Sequence, residues 1–290
     1  MRTAILILML AAGVGAVPLM TGGVFSHVAG PEDTLQSIGS RFGVDSAVLA
    51  SDNQLRPGAR LPAGATLVVD NRHLIPAGVE PPAIVINVAQ RLLFFFQEDG
   101  TVRAFPVAVG RPDWPTPRGR FEIAVKEVDP DWDVPISIQE EMAHKGQPVL
   151  TKVPPGPDNP LGNRWLGLSI PAVGIHGTNH PSSIYGFTTH GCIRVHPDDI
   201  LVLFDLVSVG TRVELIYEPV LLASDERGGI YLEVHRDVYR VASSPGRRVE
   251  QLLREAGLEH LAGSAAVREA IAAHSGRAVI VGERGSRSRW

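Results

Sequence analysis

One cysteine occurs in the 290 residues, at position 192, and four of the ten histidines crowd around it at 176, 180, 190 and 196. They belong to one run, GIHGTNHPSSIYGFTTHGCIRVHPDD, residues 174–199. A free thiol is mostly protonated near neutral pH. Nucleophilic chemistry at Cys192 therefore needs an imidazole that takes its proton or stabilises the thiolate. The imidazole in turn needs a carboxylate or a backbone carbonyl to orient it. Gly191 allows close approach to the Cys192 backbone, so main-chain N–H groups there could face a developing oxyanion. Two other readings compete. In one, His176, His180 and Cys192 ligate a metal, although this is not a known zinc spacing and one cysteine suits a closed structural site poorly. In the other, Cys192 is a small buried hydrophobe among loop histidines.

The surrounding chain must supply elements that bring these groups together. Residues 83–88, 91–97 and 101–109 are apolar runs rich in β-branched and aromatic residues, and Glu98-Asp99-Gly100 between two of them is a hairpin signal. Ten prolines recur between Gly110 and Leu166, a composition that predicts loops running over a sheet rather than a regular helix, with a strand at 121–128. The long loop before Trp165 is expected to border or cover the site. Asp198 and Asp199 favour the first turn of a helix over 197–207, whose Ile200, Leu203, Phe204 and Val207 share a face, and a strand follows at 211–217. Upstream, Thr34 precedes Leu35, Ile38 and Phe42 at helical spacing, and Gly43 stops that helix. A second short helix holds Val48 and Leu49, Asn53 opens a loop, and residues 64–69 read as a strand. Beyond Glu218 the pattern predicts one strand at 229–234 and short helices at 247–257 and 265–274, then a polar tail over 284–289.

Length and composition suggest about two globular domains, since 44% of the residues are hydrophobic and 20% charged. A net charge of −4 gives no basic footprint, so nucleic acid is not an expected partner. After Arg2 no charged residue occurs until Glu32, and residues 4–20 are nearly all apolar. This predicts an export signal or anchor within residues 1–24, with small residues near Ala16 fit for cleavage, and hence the periplasm or cell envelope. In such an oxidising compartment a bystander thiol is at risk, and a lone cysteine has no partner for an internal disulfide.

Two resemblances follow from these residues. Gly174-Ile175-His176-Gly177-Thr178 followed by Thr189-His190-Gly191-Cys192-Ile193-Arg194-Val195 resembles the signature of the L,D-transpeptidase catalytic domain of the YkuD type. Pro115-Thr116-Pro117, Gly119, Phe121 and Asn159-Pro160-Leu161-Gly162 before Trp165 extend the likeness over residues 83–218. Glu32-Asp33-Thr34-Leu35, Phe42-Gly43-Val44, Asn53 and Leu61 through Leu67 resemble a LysM module over 25–70, and the prolines of 71–82 resemble a linker. The fold implied is mostly β, a sandwich-like catalytic domain with few helices, preceded by a small α+β module and followed by a short α/β appendage over 219–290.

The first resemblance implies Cys192 as acyl-accepting nucleophile, His176 as its base and the Gly177 carbonyl as orienting group. It places His190 beside the thiol and Arg194 toward a carboxylate of the substrate, and Gly191 in the substrate pocket. Thr189 would stabilise the loop, and Trp165, with Trp114 and Trp132, would line the groove or pack. The implied substrate is the tetrapeptide stem of peptidoglycan, with glycan strands as the module's ligand. The acceptor would be an amine of another stem, a lysine of an outer-membrane lipoprotein, or water. No metal or organic cofactor is implied, and carbapenem-type β-lactams would inhibit covalently. A reading from another class is a non-catalytic wall-binding protein, supported only by the LysM-like segment.

Overall fold

Thr34 and Gly43 bound the first helix as their chemistry requires. In the computed structural model, which describes residues 19–241 and 244–283, Thr34 is the extended N-cap of α1 (Leu35–Phe42) and Ser37 returns the capping-box bond. Gly43 ends the helix in the left-handed conformation (φ 74°). Asp45 caps α2 (Ser46–Asp52). The helix pair packs on an antiparallel hairpin-like pair, β1 (Val24–Val28) and β2 (Thr66–Asp70). Leu35, Ile38, Leu49, Leu67 and Val69 form its core. Most of the expected export segment, residues 1–18, and the polar tail lie outside the described residues.

The central unit is built from β3 (Ala83–Asn87), β4 (Leu92–Phe96), β5 (Val102–Gly110), β6 (Gly119–Val128), β7 (Arg164–Leu168), β8 (Gly174–His176), β9 (Phe187–Thr189), β10 (Ile193–Val195) and β11 (Arg212–Ile216). Their order is β9-β5-β10-β8-β7-β6-β11-β3-β4, and β4 also pairs with β5. The sheet therefore returns on itself. This corrects the sandwich expectation: one barrel-like sheet replaces two facing ones, because β5 is long enough to pair with β4 at one end and with β10 at the other. Both strands of the first hairpin are fully buried. Ile84, Ile86, Leu93 and Phe95 face one cluster, and Val85, Leu92, Phe94 and Phe96 the other. Helix α4 (Pro197–Leu206) adds Ile200 and Leu203 to the first of these.

The proline-rich stretch is a further correction. It contains α3 (Ile136–His144), between short paired strands at 132–133 and 152–153. Pro135 stands at the N-cap of α3, where a missing N–H costs nothing, and no proline follows until Pro148. Buried Asn159 pins the insertion, donating to the carbonyl of Pro130 (2.8 Å) while its own carbonyl accepts from the Leu161 amide (2.9 Å).

The C-terminal unit is a three-stranded sheet of β12 (Val220–Ser224), β13 (Gly229–Val234) and β14 (Val279–Glu283), covered by α5 (Pro245–Glu255) and α6 (Ala265–Ala273). The pattern had predicted only the middle strand. Among the described residues no helix is long and apolar enough to cross a membrane.

Candidate active site

Strand register assembles the site. Beta strands β8 and β10 run parallel with Ile175 opposite Ile193 and His176 opposite Arg194. Across the antiparallel neighbours, Trp165 of β7 lies opposite His176 and Ala108 of β5 opposite Arg194. Side chains alternate between faces along a strand. Leu166, Ile175, Ile193 and Val109 therefore form one fully buried apolar row. Trp165, His176 and Arg194 form the row on the opposite face, and Cys192 sits one residue before β10. The apolar row sets the face, and the reactive row follows from it.

The turn before Cys192 is held by Thr189, whose hydroxyl donates to the Cys192 carbonyl (2.6 Å) and accepts from the Gly191 amide (3.2 Å). Gly191 has φ +106°, a conformation that a side chain would strain. Its amide is thus spent on Thr189 rather than free for an oxyanion.

His176 is buried, and its Nδ1 lies 2.7 Å from the Gly177 carbonyl, which makes Nδ1 the donor and leaves Nε2 as the basic nitrogen. Burial first, and then the charge of Arg194, push its imidazolium down to about 3, against the pull of the Gly177 and Leu161 carbonyls. Burial raises the Cys192 thiol, offset by the Gly174 amide and by Arg194. At neutral pH the pair rests as thiol and neutral imidazole. Cys192 is partly exposed, and its sulfur donates weakly to the Ala172 carbonyl at 3.5 Å.

Both residues line one cleft of about 490 Å³, together with Thr189, His190, Arg194 and the three tryptophans 114, 132 and 165. The 129–163 insertion supplies a wall of it through Pro130, Trp132, Pro135 and Ile138. Trp165 stacks on His176 with centroids 5.8 Å apart. A Cβ on Gly174 would meet that indole at 2.5 Å, so only glycine fits beneath it. His190 is gripped from two sides. Trp114 meets its ring edge-on at 4.7 Å, and Glu141 of α3 reaches its Nε2 at 2.5 Å. Lys145 first, then His190, hold the Glu141 carboxyl down at about 2. Arg194 donates from Nη1 to the Ser183 hydroxyl (2.8 Å), while its buried Nε has no partner.

The site residues expected from the sequence therefore meet in one place. Sequence reasoning missed two residues that touch the site: Glu141, from a segment with no motif, and Ser183, which lies in the 174–199 run but is assigned no contact by it. His180 and His196 serve local structure: the His180 carbonyl accepts from the Ser183 hydroxyl, and His196 caps α4 through Nδ1. Among the described residues, the His/carboxylate cluster compact enough for a metal is His73, Glu233 and His235, not His176, His180 and Cys192.

Comparison with known proteins gives two family matches. Residues 81–215 match the YkuD L,D-transpeptidase catalytic domain and residues 27–70 match the LysM domain. The chain is 34% identical over 211 residues to the probable L,D-transpeptidase ErfK/SrfK of Escherichia coli, covering 71% of this chain and 66% of the relative. The protein of the same name from Salmonella typhimurium is 35% identical over 211 residues, with 71% and 67% covered. A Bacillus licheniformis protein named for L,D-transpeptidase YkuD is 31% identical over 185 residues, with 64% of this chain and 94% of the relative covered. The chain spans about two thirds of the length of the ErfK/SrfK relatives.

Proposed function

The chain belongs to the L,D-transpeptidase family, and from that premise we propose that it is a cell-envelope acyltransferase acting on peptidoglycan stems, with Cys192 as nucleophile and His176 as base. One observation carries the reading. The chain's one thiol shares a cleft with a histidine whose Nδ1 is occupied by the Gly177 carbonyl, leaving Nε2 to exchange a proton.

As the Cys192 sulfur attacks the carbonyl of the third residue of a tetrapeptide stem, its proton passes to His176 Nε2. The C–N bond to the terminal D-alanine then breaks, and the departing amine takes that proton. A thioester remains on Cys192. An acceptor amine attacks it, gives its proton to His176, and the C–S bond breaks to restore the thiol. With the side-chain amine of a diamino acid the product is a 3→3 crosslink, with a lipoprotein lysine an anchor, and with water a trimmed stem. Arg194 offers a planar donor for a stem carboxylate, and His190 shapes the pocket beside the thiol. The module at 27–70 would hold glycan strands. Residues 1–24 would export or anchor the chain, so the work would be done in the periplasm or cell envelope.

Incubation with disaccharide tetrapeptide, followed by mass spectrometry, should reveal a thioester on Cys192 and free D-alanine. A Cys192→Ala variant that still releases D-alanine would overturn the reading. Offering a diamino-acid stem, a lysine peptide and water together identifies the acceptor.

A further inference from the structure

The LysM module docks on the catalytic unit through α1. Ser40, buried at 2% exposure, donates its hydroxyl to the Ser182 carbonyl at 2.9 Å, and the Gln36 side chain donates to the same oxygen at 3.2 Å. Ser182 lies in the 3₁₀ turn Pro181–Ser183, in the loop between His176 and Cys192. The next residue, Ser183, has a fully committed hydroxyl: it donates to the His180 carbonyl (2.6 Å) and accepts from Arg194 Nη1 (2.8 Å). Arg41, also on α1, pairs with Asp199 in the first turn of α4 at 2.8 Å. One face of α1 thus grips both sides of Arg194, the turn that bonds its guanidinium and the helix that starts three residues after it.

We propose that Ser183 is a positioning residue for Arg194, and that Ser40 and Gln36 of the LysM module hold Ser183 in place. The module then supports Arg194 from behind the acyl-transfer cleft, whose lining residues fall between Trp114 and Arg194, rather than serving only as a tether. A long arginine side chain has many rotamers, and fixing one nitrogen leaves the remaining donors directed at a single spot. The Nε of Arg194, buried without a partner, is consistent with a guanidinium held by one end only. The inference rests on the proposed function for the meaning of Arg194, but its geometry is testable separately.

Because Cys192 is the only thiol, its alkylation reports this place alone. In wild type, the guanidinium beside the sulfur favours anionic iodoacetate over neutral iodoacetamide. Arg194→Gln sets the ratio without that charge. Ser183→Ala, and the pair Gln36→Ala with Ser40→Ala, should lower the ratio toward the Arg194→Gln value by about three-fold or more, with iodoacetamide slowed less than iodoacetate because only the latter also loses its charge attraction. Ser183→Thr, which keeps the hydroxyl, should restore the ratio. In the D-alanine release assay the same variants should raise KM about ten-fold and leave kcat within about two-fold. A ratio unmoved by Ser183→Ala and by the double variant overturns the inference. A ratio that moves as expected, in a protein that releases no D-alanine, upholds the positioning and overturns the proposed activity instead.

Discussion

The Nδ1 nitrogen of His176 lies 2.7 Å from the carbonyl oxygen of Gly177, the next residue in the chain. A backbone carbonyl does the work that a carboxylate performs in other nucleophile–base pairs, and it adds no negative charge. With burial and Arg194 against it, the imidazolium is disfavoured, and loss of solvation disfavours the thiolate too. In the proposed mechanism the two groups therefore rest neutral, and the proton passes only as the sulfur attacks.

This predicts the pH dependence. His176, pushed down to about 3, stays neutral across the whole near-neutral range. Burial pushes the thiol up from its ordinary value, so it is protonated there. Alkylation of Cys192 by iodoacetamide should rise along a single basic limb, with no inflection near the usual imidazole range. A reactive plateau extending into mild acid, as a resting thiolate–imidazolium pair would give, contradicts this. His176→Ala should slow D-alanine release by about 10²–10⁴-fold while Cys192 remains alkylatable.

Glu141 should matter to catalysis more than to stability. Its carboxylate ties α3 to His190, and its pairs with Lys145 and Arg111 are partly exposed, where such pairs contribute little. Glu141→Gln is expected to lower kcat/KM about ten-fold and leave the Tm nearly unchanged. Because the Glu141 carboxyl is held at about 2, the wild-type contact is fully present above the usual carboxylate range and is lost as pH falls toward about 2. Unchanged kcat/KM in Glu141→Gln would show that His190 needs no such support.

The junction of the three units should be the acid-labile part of the molecule. Glu233 of β13 is fully buried and accepts from His73 Nδ1 (3.0 Å), His235 Nε2 (2.7 Å), Gln90 (2.9 Å) and the Leu74 amide (2.6 Å). His73 also donates through Nε2 to the carbonyl of Gly43, at the end of α1, at 2.9 Å. Burial opposes the Glu233 charge, but the His73 and His235 rings outweigh it and hold the carboxyl at about 2. In the unfolded chain it titrates near 4.5. The unfolded state therefore binds the extra proton between those values, so the Glu233 contribution to stability is complete above about 4.5 and falls as pH drops toward about 2. Glu233→Gln should destabilise by about 3–5 kcal/mol at pH 7, measured by urea denaturation, and flatten the acid limb. An unaltered acid limb would place the lability elsewhere.

Much of the local structure was legible in the residues. Thr34 and Gly43 mark the ends of α1, the Glu98-Asp99-Gly100 turn separates β4 from β5, and Asp198 and Asp199 open α4. The C-terminal strands 220–224 and 279–283 were not legible, since each is short and finds its partner only through β13. Helix α3 was hidden by the prolines around it, though its proline-free interior and Pro135 at the start were signals that could have revealed it.

The proposed nucleophile and its proposed base were legible in the sequence alone, because a lone cysteine after Thr-His-Gly with an upstream histidine is a pattern of residue types. Tertiary structure decided how they meet. His176 and Cys192 come to line one cleft because parallel strands β8 and β10 align Ile175 with Ile193 in the core and His176 with Arg194 on the opposite face. Glu141 reaches His190 across 49 residues, and Ser40 reaches Ser182 across 142. Turn chemistry and periodicity act on a few neighbouring residues and are written locally. Register between distant strands, and the docking of one unit on another, are set by the burial of many side chains at once, which no single segment encodes.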